Sequence, residues 1–449
     1  MYIIVAGGGK MGSTVVELLA EEGHDVALID NNSRVVEEAI DKWDITGVVG
    51  NAASCDVQRE AGAEHADLLI AATPQDELNL LACLVAGKLG CAHTIARVRN
   101  PEYSSQLLFL RELGLSMVVN PEFETAREIS RTLRMPEAIK VDSFAGGRAD
   151  IIEVRIGEGS PLAGLAINQI SEKYKIKVLV CAVEREDFVT IPGGEFRLKY
   201  DDKVYVTGTG EYLLRFFRTF KLIKDKIKRV MIVGGGKVSY YLAKQLDKMN
   251  MDVRIIERDS ARCEFLSEKL PKTVTVICGD GLDQTVLLEE GLESSDAFAA
   301  MTGMDEENII VSLYAKSKGL DKIVTKVNRS FGDMVSELGL ESTVCPKQVV
   351  ANHIVRYVRA MQKGEGSTVR TLYKLVGDVE ALEFSIDEEA EYLGKPLREL
   401  RIKKNILIGC IVHEGVPKIP DGGDAMRLGD SVVVVTAEGR LKNLGDIFE

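Results

Sequence analysis

The sequence predicts an α/β protein made of two doubly wound parallel-sheet domains, each followed by a small α+β domain. Three observations carry that prediction. A glycine-rich fingerprint occurs twice, as IIVAGGGKMG at residues 3–12 and as VMIVGGGKVS at residues 230–239. The chain repeats around it: Gly7 and Gly9 match Gly234 and Gly236 at an offset of 227, and Gly50, Thr73, Asp76, Asn79 and Val98 match Gly279, Thr302, Asp305, Asn308 and Val327 at 229. Behind each fingerprint, short β-branched runs alternate with helical patterns, as in an open parallel sheet covered by helices on both faces.

The elements follow in order. In the first half the apolar runs are Ile3–Ala6, Val26–Ile29, Val48–Val49, Leu68–Ala72, Thr94–Val98 and Met117–Val119. In the second they are Val230–Val233, Val253–Ile256, Val274–Ile277, Ala297–Met301, Ile323–Val327 and Thr343–Val344. Most do not alternate, which suits strands buried on both faces. Ser13–Glu22 and Val238–Met249 read as helices, and Pro136 ends a helical run over Glu122–Met135.

Beyond Pro136 the period changes. Ile151–Ile156 and Lys203–Val206 alternate as half-exposed strands, around a turn at Ile191-Pro192-Gly193-Gly194. Ala381–Ile386, Ile419–Gly423 and Val432–Val435 repeat the pattern, and Cys181 aligns with Cys410. The expected domains are residues 1–135 and 225–363, which bind nucleotide, and 136–224 and 364–449, which are small. Glu211–Lys228 and Lys363–Ser367 read as linkers.

The fingerprint carries the chemistry. Gly7 permits the tight turn after the first strand, Gly9 admits a pyrophosphate, and Gly12 lets the helix pack on the strand. The helix N-terminus then offers free N–H groups to phosphates, as in Rossmann-like domains. Asp30 ends the second strand, where a carboxylate accepts a ribose diol and repels a 2′-phosphate. Asp30 could instead cap the next helix. Thr73-Pro74 follows the fourth strand, where a ligand crevice opens; a plain helix start, with Thr73 as N-cap, is the alternative. Arg97 and Arg99, two apart at the end of the fifth strand, could hold phosphates or form surface salt bridges.

In the second copy Gly12 becomes Ser239, Asp30 becomes Glu257, Arg97 becomes Lys326 and Arg99 becomes Asn328. The second site is expected to bind phosphates more weakly, or to bind something else. The candidate binding residues are Gly7, Gly8, Gly9, Lys10, Met11, Gly12, Asp30, Thr73, Pro74, Arg97 and Arg99, with Gly234, Gly235, Gly236, Lys237, Val238, Glu257, Thr302 and Lys326 in the second half.

Bulk properties exclude several classes. A net charge of −13 disfavours a nucleic-acid partner. No apolar run approaches the roughly 20 residues of a membrane helix. The eight cysteines form no CxxC pair or cluster with histidine, so a metal site is not expected, and they read as reduced thiols of a cytoplasm. None of the five histidines recurs at a matched position in both halves, and His413 faces Glu184 in the alignment. A redox enzyme needs such an acid or base beside the hydride carbon. The chain therefore reads as a duplicated ligand sensor that assembles symmetrically, not as an enzyme. An NAD-dependent oxidoreductase and a regulator of a different ion transporter remain as alternatives.

The chain resembles the regulator-of-potassium-conductance (RCK) family, as found in tandem in the regulatory subunits of bacterial and archaeal Trk potassium-uptake systems. The residues carrying the resemblance are Val5–Gly12, Asp30, Ala71–Thr73, Asp76, Asn79 and Arg97-Val98-Arg99-Asn100-Pro101-Glu102-Tyr103, in a domain order that spans the whole chain. The resemblance implies binding of NAD or NADH and of adenine nucleotides such as ATP and ADP. It also implies assembly into a dimer or tetrameric ring, peripheral on the inner face of the cell membrane. The partner it implies is a TrkH/TrkG-like potassium-translocating subunit.

Overall fold

The structure is a computed structural model that describes residues 1–100, 103, 114–134, 140–145, 148–186, 188–220, 222, 227–329, 334–340, 342–361, 369–437, 441 and 443–449. The expected division points at 135/136, 224/225 and 363/364 lie outside the described residues, as do Pro136, Lys363–Ser367, Pro101, Glu102 and Leu113.

The first sheet comprises β1 (Tyr2–Ala6), β2 (Asp25–Asp30), β3 (Thr46–Val49), β4 (Leu68–Ala71), β5 (His93–Arg97) and β6 (Met117–Val119). All its pairs are parallel, in the order β3-β2-β1-β4-β5-β6. Ile3, Ile4, Val5 and Ala6 on β1, and Leu68–Ala71 on β4, are fully buried. Helices on both faces leave these strands no solvated side, which is why they do not alternate. Strand order reverses between β1 and β4, and a crevice opens at the carboxyl ends of those two strands.

The second sheet is antiparallel: β7 (Lys140–Phe144), β8 (Ala149–Arg155), β9 (Val178–Arg185), β10 (Phe188–Thr190) and β11 (Lys203–Gly208), in the order β10-β9-β11-β8-β7. The third repeats the first with β12 (Arg229–Val233), β13 (Asp252–Glu257), β14 (Val274–Cys278), β15 (Ala297–Ala300), β16 (Lys322–Lys326) and β17 (Ser342–Val344), in the order β14-β13-β12-β15-β16-β17. The fourth repeats the second with β18 (Val369–Val376), β19 (Val379–Ser385), β20 (Ile406–His413), β21 (Val416–Lys418) and β22 (Ser431–Thr436), in the order β18-β19-β22-β20-β21. Sheet order thus bears out the duplication strand for strand.

The chain forms two compact units, and each unit takes one piece from each half. One holds Met1–Ser130 and Lys228–Val355, the other Arg131–Ile227 and Arg356–Glu449. In the first unit, helix Pro121–Arg134 of one half meets helix Lys237–Lys248 of the other. Phe123 packs edge-on against Tyr241 at 5.6 Å, Asn120 Nδ2 donates to the Tyr241 hydroxyl at 3.1 Å, and Ser130 Oγ donates to Gln245 Oε1 at 2.7 Å.

In the second unit the two antiparallel sheets share a core. Phe144, Ile151, Cys181, Ala182 and Tyr205 pack with Val379, Ala381, Cys410, Val412, Val433 and Val435. One apolar face of each small sheet is therefore covered within the chain. The other face of the first small sheet corrects an expectation. Gly210–Thr219 is a helix belonging to the small domain, not a linker, because Leu213, Phe216, Phe217 and Phe220 are buried in its core. Burying three phenylalanines there outweighs the polar face that suggested a tether.

Candidate functional site

Each nucleotide-type sheet carries the same crevice. In the first, Gly7 adopts φ +105°, and a Cβ on it would lie 2.9 Å from the Thr73 nitrogen. Only glycine meets both demands, so the turn after β1 can press against the end of β4. A Cβ on Gly12 would lie 1.8 Å from the Gly7 carbonyl oxygen, which fixes the helix against the turn. Gly9, the N-cap of helix Lys10–Glu21, has open space on its Cβ side, and no side chain caps that helix. The approach to its N-terminal N–H groups is clear where the fingerprint requires it.

Asp30 faces this loop. Its Oδ2 accepts the Gly8 N–H at 2.6 Å and its Oδ1 accepts the Asn32 N–H at 2.9 Å. The cap of helix Ser33–Lys42 is Asn32, whose Oδ1 accepts the Arg34 N–H at 3.1 Å. Asp30 is therefore not the cap and is held against the glycine loop.

The far side rests on a residue that sequence reasoning used as a register and family mark and gave no place in the site. Asn79 is fully buried. Its Oδ1 accepts the Thr73 N–H at 2.8 Å and the Thr73 hydroxyl at 2.7 Å; its Nδ2 donates to the carbonyls of Thr73 at 3.0 Å and Arg97 at 2.9 Å. It ties β4 to β5 across the crevice. Helix Asp76–Leu89 begins with Gln75 as N-cap, so Thr73 and Pro74 lie in the crevice loop before it and do not start the helix. Asp76 Oδ2 accepts the N–H groups of Arg99 and Asn100, both at 2.8 Å.

The two arginines part company. Arg97 Nη1 donates to the Thr73 carbonyl at 2.9 Å, and its buried Nε has no partner. Burial, helped by Arg99, lowers its pKa, with Glu122 and Asp76 opposing. A desolvated guanidinium of this kind favours an arriving anion. Arg99 instead forms an ion pair with Glu122, Nε to Oε1 at 2.6 Å. The salt-bridge alternative thus describes Arg99 and not Arg97.

The second crevice keeps the frame and changes the lining. Gly234 has φ +97°, and Gly235 N–H donates to Glu257 Oε2 at 2.5 Å. Ser239 is fully buried, and its Oγ donates to the Gly234 carbonyl at 2.5 Å. The side chain that replaces Gly12 is thus accommodated by a hydrogen bond to the turn. Gly236 is the N-cap of the helix that Lys237 and Val238 begin. Asn308 repeats Asn79, accepting the Thr302 N–H at 2.8 Å and donating to the Lys326 carbonyl at 2.9 Å. Asp305 accepts the N–H groups of Asn328 and Arg329, both at 2.9 Å. Burial lowers the Lys326 pKa, against the attraction of Asp305 and of Glu122 from the first half. The signal that could have found these supports was recurrence itself: Thr73, Asp76 and Asn79 match Thr302, Asp305 and Asn308.

Two Rossmann-type crevices in tandem, each followed by an antiparallel domain that pairs with its repeat, define a duplicated two-domain α/β architecture. The sequence matches the TrkA-N domain model at residues 3–121 and 230–346 and the TrkA-C domain model at 151–221 and 381–449. The chain belongs to the TrkA family, the regulatory subunits of Trk potassium-uptake systems. The Trk system potassium uptake protein TrkA of Vibrio alginolyticus is 32% identical over 419 residues, covering 92% of this chain and 91% of that protein. The TrkA homolog of Archaeoglobus fulgidus is 32% identical over 451 residues, covering 100% of both. Among solved structures, the GsuK channel bound to NAD superposes with a TM-score of 0.63 at 19% identity, over 97% of this chain and 76% of that one. The crystal structure of the GsuK RCK domain superposes at 0.62 and 19% identity, over 97% and 92%. At that identity the likeness establishes the fold. No helix of the described residues is long and apolar enough to cross a membrane.

Proposed function

We propose that the chain is a nucleotide sensor whose first crevice binds NAD or NADH, or the adenine nucleotides ATP and ADP. Its occupancy gates a TrkH/TrkG-like potassium-translocating subunit. One observation carries the reading: Asp30 is held on the Gly8 N–H beside an open, uncapped helix N-terminus at Gly9. That arrangement suits a ribose and a pyrophosphate side by side.

In this reading Gly7, Gly8, Gly9, Lys10, Met11 and Gly12 cradle the phosphates, Asp30 takes the ribose diol, and Thr73, Pro74 and Arg97 border the far end. The buried, half-partnered Arg97 supports the fit. Arg99 acts through Glu122. GsuK, solved bound to NAD and bound to ADP, supports both ligand classes. The nucleotide does no chemistry here. It works through unequal affinity for two conformations, and about 1–3 kcal/mol of coupling is ordinary.

The domains divide at residues 135/136, 224/225 and 363/364, and the chains assemble as a dimer or tetrameric ring, peripheral on the inner face of the membrane. The protein has no catalytic turnover of its own. The test is to reconstitute the potassium-translocating subunit in liposomes and follow potassium flux with and without this chain, in NADH and in ATP. Flux that responds to the chain and to nucleotide is the expected result. Flux indifferent to both, together with steady oxidation of NADH, would favour the oxidoreductase reading.

A further inference from the structure

The crevices differ at the adenosine end as well as at the phosphate end. After the acid of the second strand, the first half reads Asp30-Asn31-Asn32-Ser33-Arg34-Val35 and the second reads Glu257-Arg258-Asp259-Ser260-Ala261-Arg262. At the offset of 227, Arg262 stands where the first half has Val35, and Arg258 where it has Asn31.

Val35 closes over the first glycine loop: a Cβ on Gly8 would lie 2.4 Å from its Cγ1. Arg34, beside Val35 in the chain, is exposed and paired with Glu38. In the second half the same position brings a guanidinium onto the loop. Arg262 Nε donates to the Gly235 carbonyl at 2.6 Å, and its guanidinium lies 4.6 Å from the centre of the Phe265 ring. A single residue, Gly235, therefore holds the acid by its N–H and the arginine by its carbonyl.

The arginine is held but not neutralised. Both Glu257 oxygens are engaged by backbone, Oε2 by Gly235 N–H at 2.5 Å and Oε1 by Asp259 N–H at 2.9 Å. Among the described residues Arg262 forms no ion pair, and its terminal Nη groups make no hydrogen bond. Burial lowers its pKa against the attraction of Glu257, Tyr240 and Asp259. A partly buried, ring-stacked guanidinium with a free fork is arranged for a bidentate anion. At the ribose end of a dinucleotide crevice, the anion a ligand can offer is a phosphate on the adenosine ribose; Glu257 keeps the carboxylate that repels such a phosphate, and Arg262, close enough to feel its charge, is the cation that must outweigh it.

We propose that the second crevice selects an adenine dinucleotide phosphorylated on the adenosine ribose, with Arg262 as its specificity residue and exposed Arg258 as a second cation. The first crevice, with Val35 and Asp30, takes the unphosphorylated form. This inference rests on the reading that both crevices bind nucleotides.

The test is calorimetric titration of the full chain with NADPH and with NADH, in wild type, R262V and R262K. R262V places the first half's residue in the second crevice. Wild type should bind NADPH, R262V should weaken NADPH at least about tenfold with NADH unchanged, and R262K should fall between, because lysine keeps the charge and loses the fork. R262K decides the matter if R262V fails to fold. Wild type that binds NADH but not NADPH would overturn the inference and leave the nucleotide reading standing. Equal losses for both ligands in the variants, or no loss for NADPH, would also overturn it. Wild type that binds neither would overturn both.

Discussion

Asn79→Ala tests the frame of the first crevice more directly than any change at the ligand-facing residues. The side chain is fully buried and makes four hydrogen bonds, two to the Thr73 N–H and hydroxyl and two to the carbonyls of Thr73 and Arg97. At a net 0.5–1.5 kcal/mol each, four bonds amount to about 2–6 kcal/mol. Arg97 Nη1 still donates to the Thr73 carbonyl after truncation, so one of the freed groups keeps a partner. About 3 kcal/mol is therefore expected, or roughly 10 °C in the melting of a domain this size. Asn308→Ala is the internal control. Asn308 makes three such bonds, one of them long at 3.3 Å, because the Thr302 hydroxyl turns to the Met304 carbonyl instead. It should cost about 2 kcal/mol. The chain has one tryptophan, Trp43, in the compact unit that holds both parallel sheets, so its fluorescence in a urea titration follows that unit. N79A should move the Trp43 midpoint and weaken NADH binding together, since Thr73 and Arg97 lose their anchor. N79D sharpens the test. Its carboxylate replaces an amide donor facing two carbonyls, so its pKa rises, and its deficit is full at neutral pH and shrinks as pH falls through the raised value. A Trp43 midpoint displaced by less than about 0.5 kcal/mol in N79A would refute the keystone role.

Three further outcomes are expected. Asp30→Ala should weaken NADH binding at least about tenfold while the domain stays folded, because Asp30 ends its strand at a crevice and carries no core packing; unchanged affinity by calorimetry would remove it from the site. Lys326 has a pKa lowered by burial, so its charge costs stability fully below the folded value, and the cost fades as pH rises toward the unfolded value of about 10.4. K326M should then be more stable than wild type at neutral pH, with the gap closing in alkali; urea midpoints in which the gap widens with pH would contradict this. Cys181 and Cys410 are buried where the two small sheets meet, and burial pushes their thiols up to about 12 and about 11. A thiol reagent at about pH 8 should modify exposed Cys55 and Cys278 in the native chain and reach Cys181 and Cys410 only on unfolding, as peptide mass spectrometry would show.

Much of the fold was legible because the chain states it twice. Every strand expected in the two parallel sheets is present, within one or two residues at its ends, and the central ones, such as β1 and β4, are the clearest because burial on both faces leaves an unbroken apolar run. The small domains were less legible. Edge strands such as β10 and β21 are three residues each, and a face that covers its own repeat looks the same as one that covers a ligand. In the crevice, the backbone demands at Gly7 and Gly12 were readable, since only glycine fits such contacts. Side-chain direction was not. Arg97 and Arg99 are two residues apart, yet β5 ends at Arg97, and Asp76 then draws the backbone of Arg99 aside so that its side chain meets Glu122. Arg262 escaped notice because its place is set by spacing along a helix behind the fingerprint and not by the fingerprint.

The divergence of the second half follows a pattern that explains how a duplicated regulator can come to respond to two signals. Contacts that build the crevice are retained: the acid on the loop N–H recurs as Gly235–Glu257, and the amide that ties β4 to β5 recurs as Asn308 on the Lys326 carbonyl. Side chains lining the crevice change, Val35 to Arg262 and Arg97 to Lys326, and the Glu122 partner Arg99 becomes Asn328. Such changes leave the frame standing, so they alter what is bound without costing the fold. The two crevices nevertheless share a charge. Glu122 pairs with Arg99 of the first and also attracts Lys326 of the second. An anion that draws either cation away changes the field at the other crevice, and by linkage the effect on binding is equal in both directions. On the proposed reading, unequal sites with a common carboxylate weigh one nucleotide against another within a single chain, which two identical, isolated sites could not do.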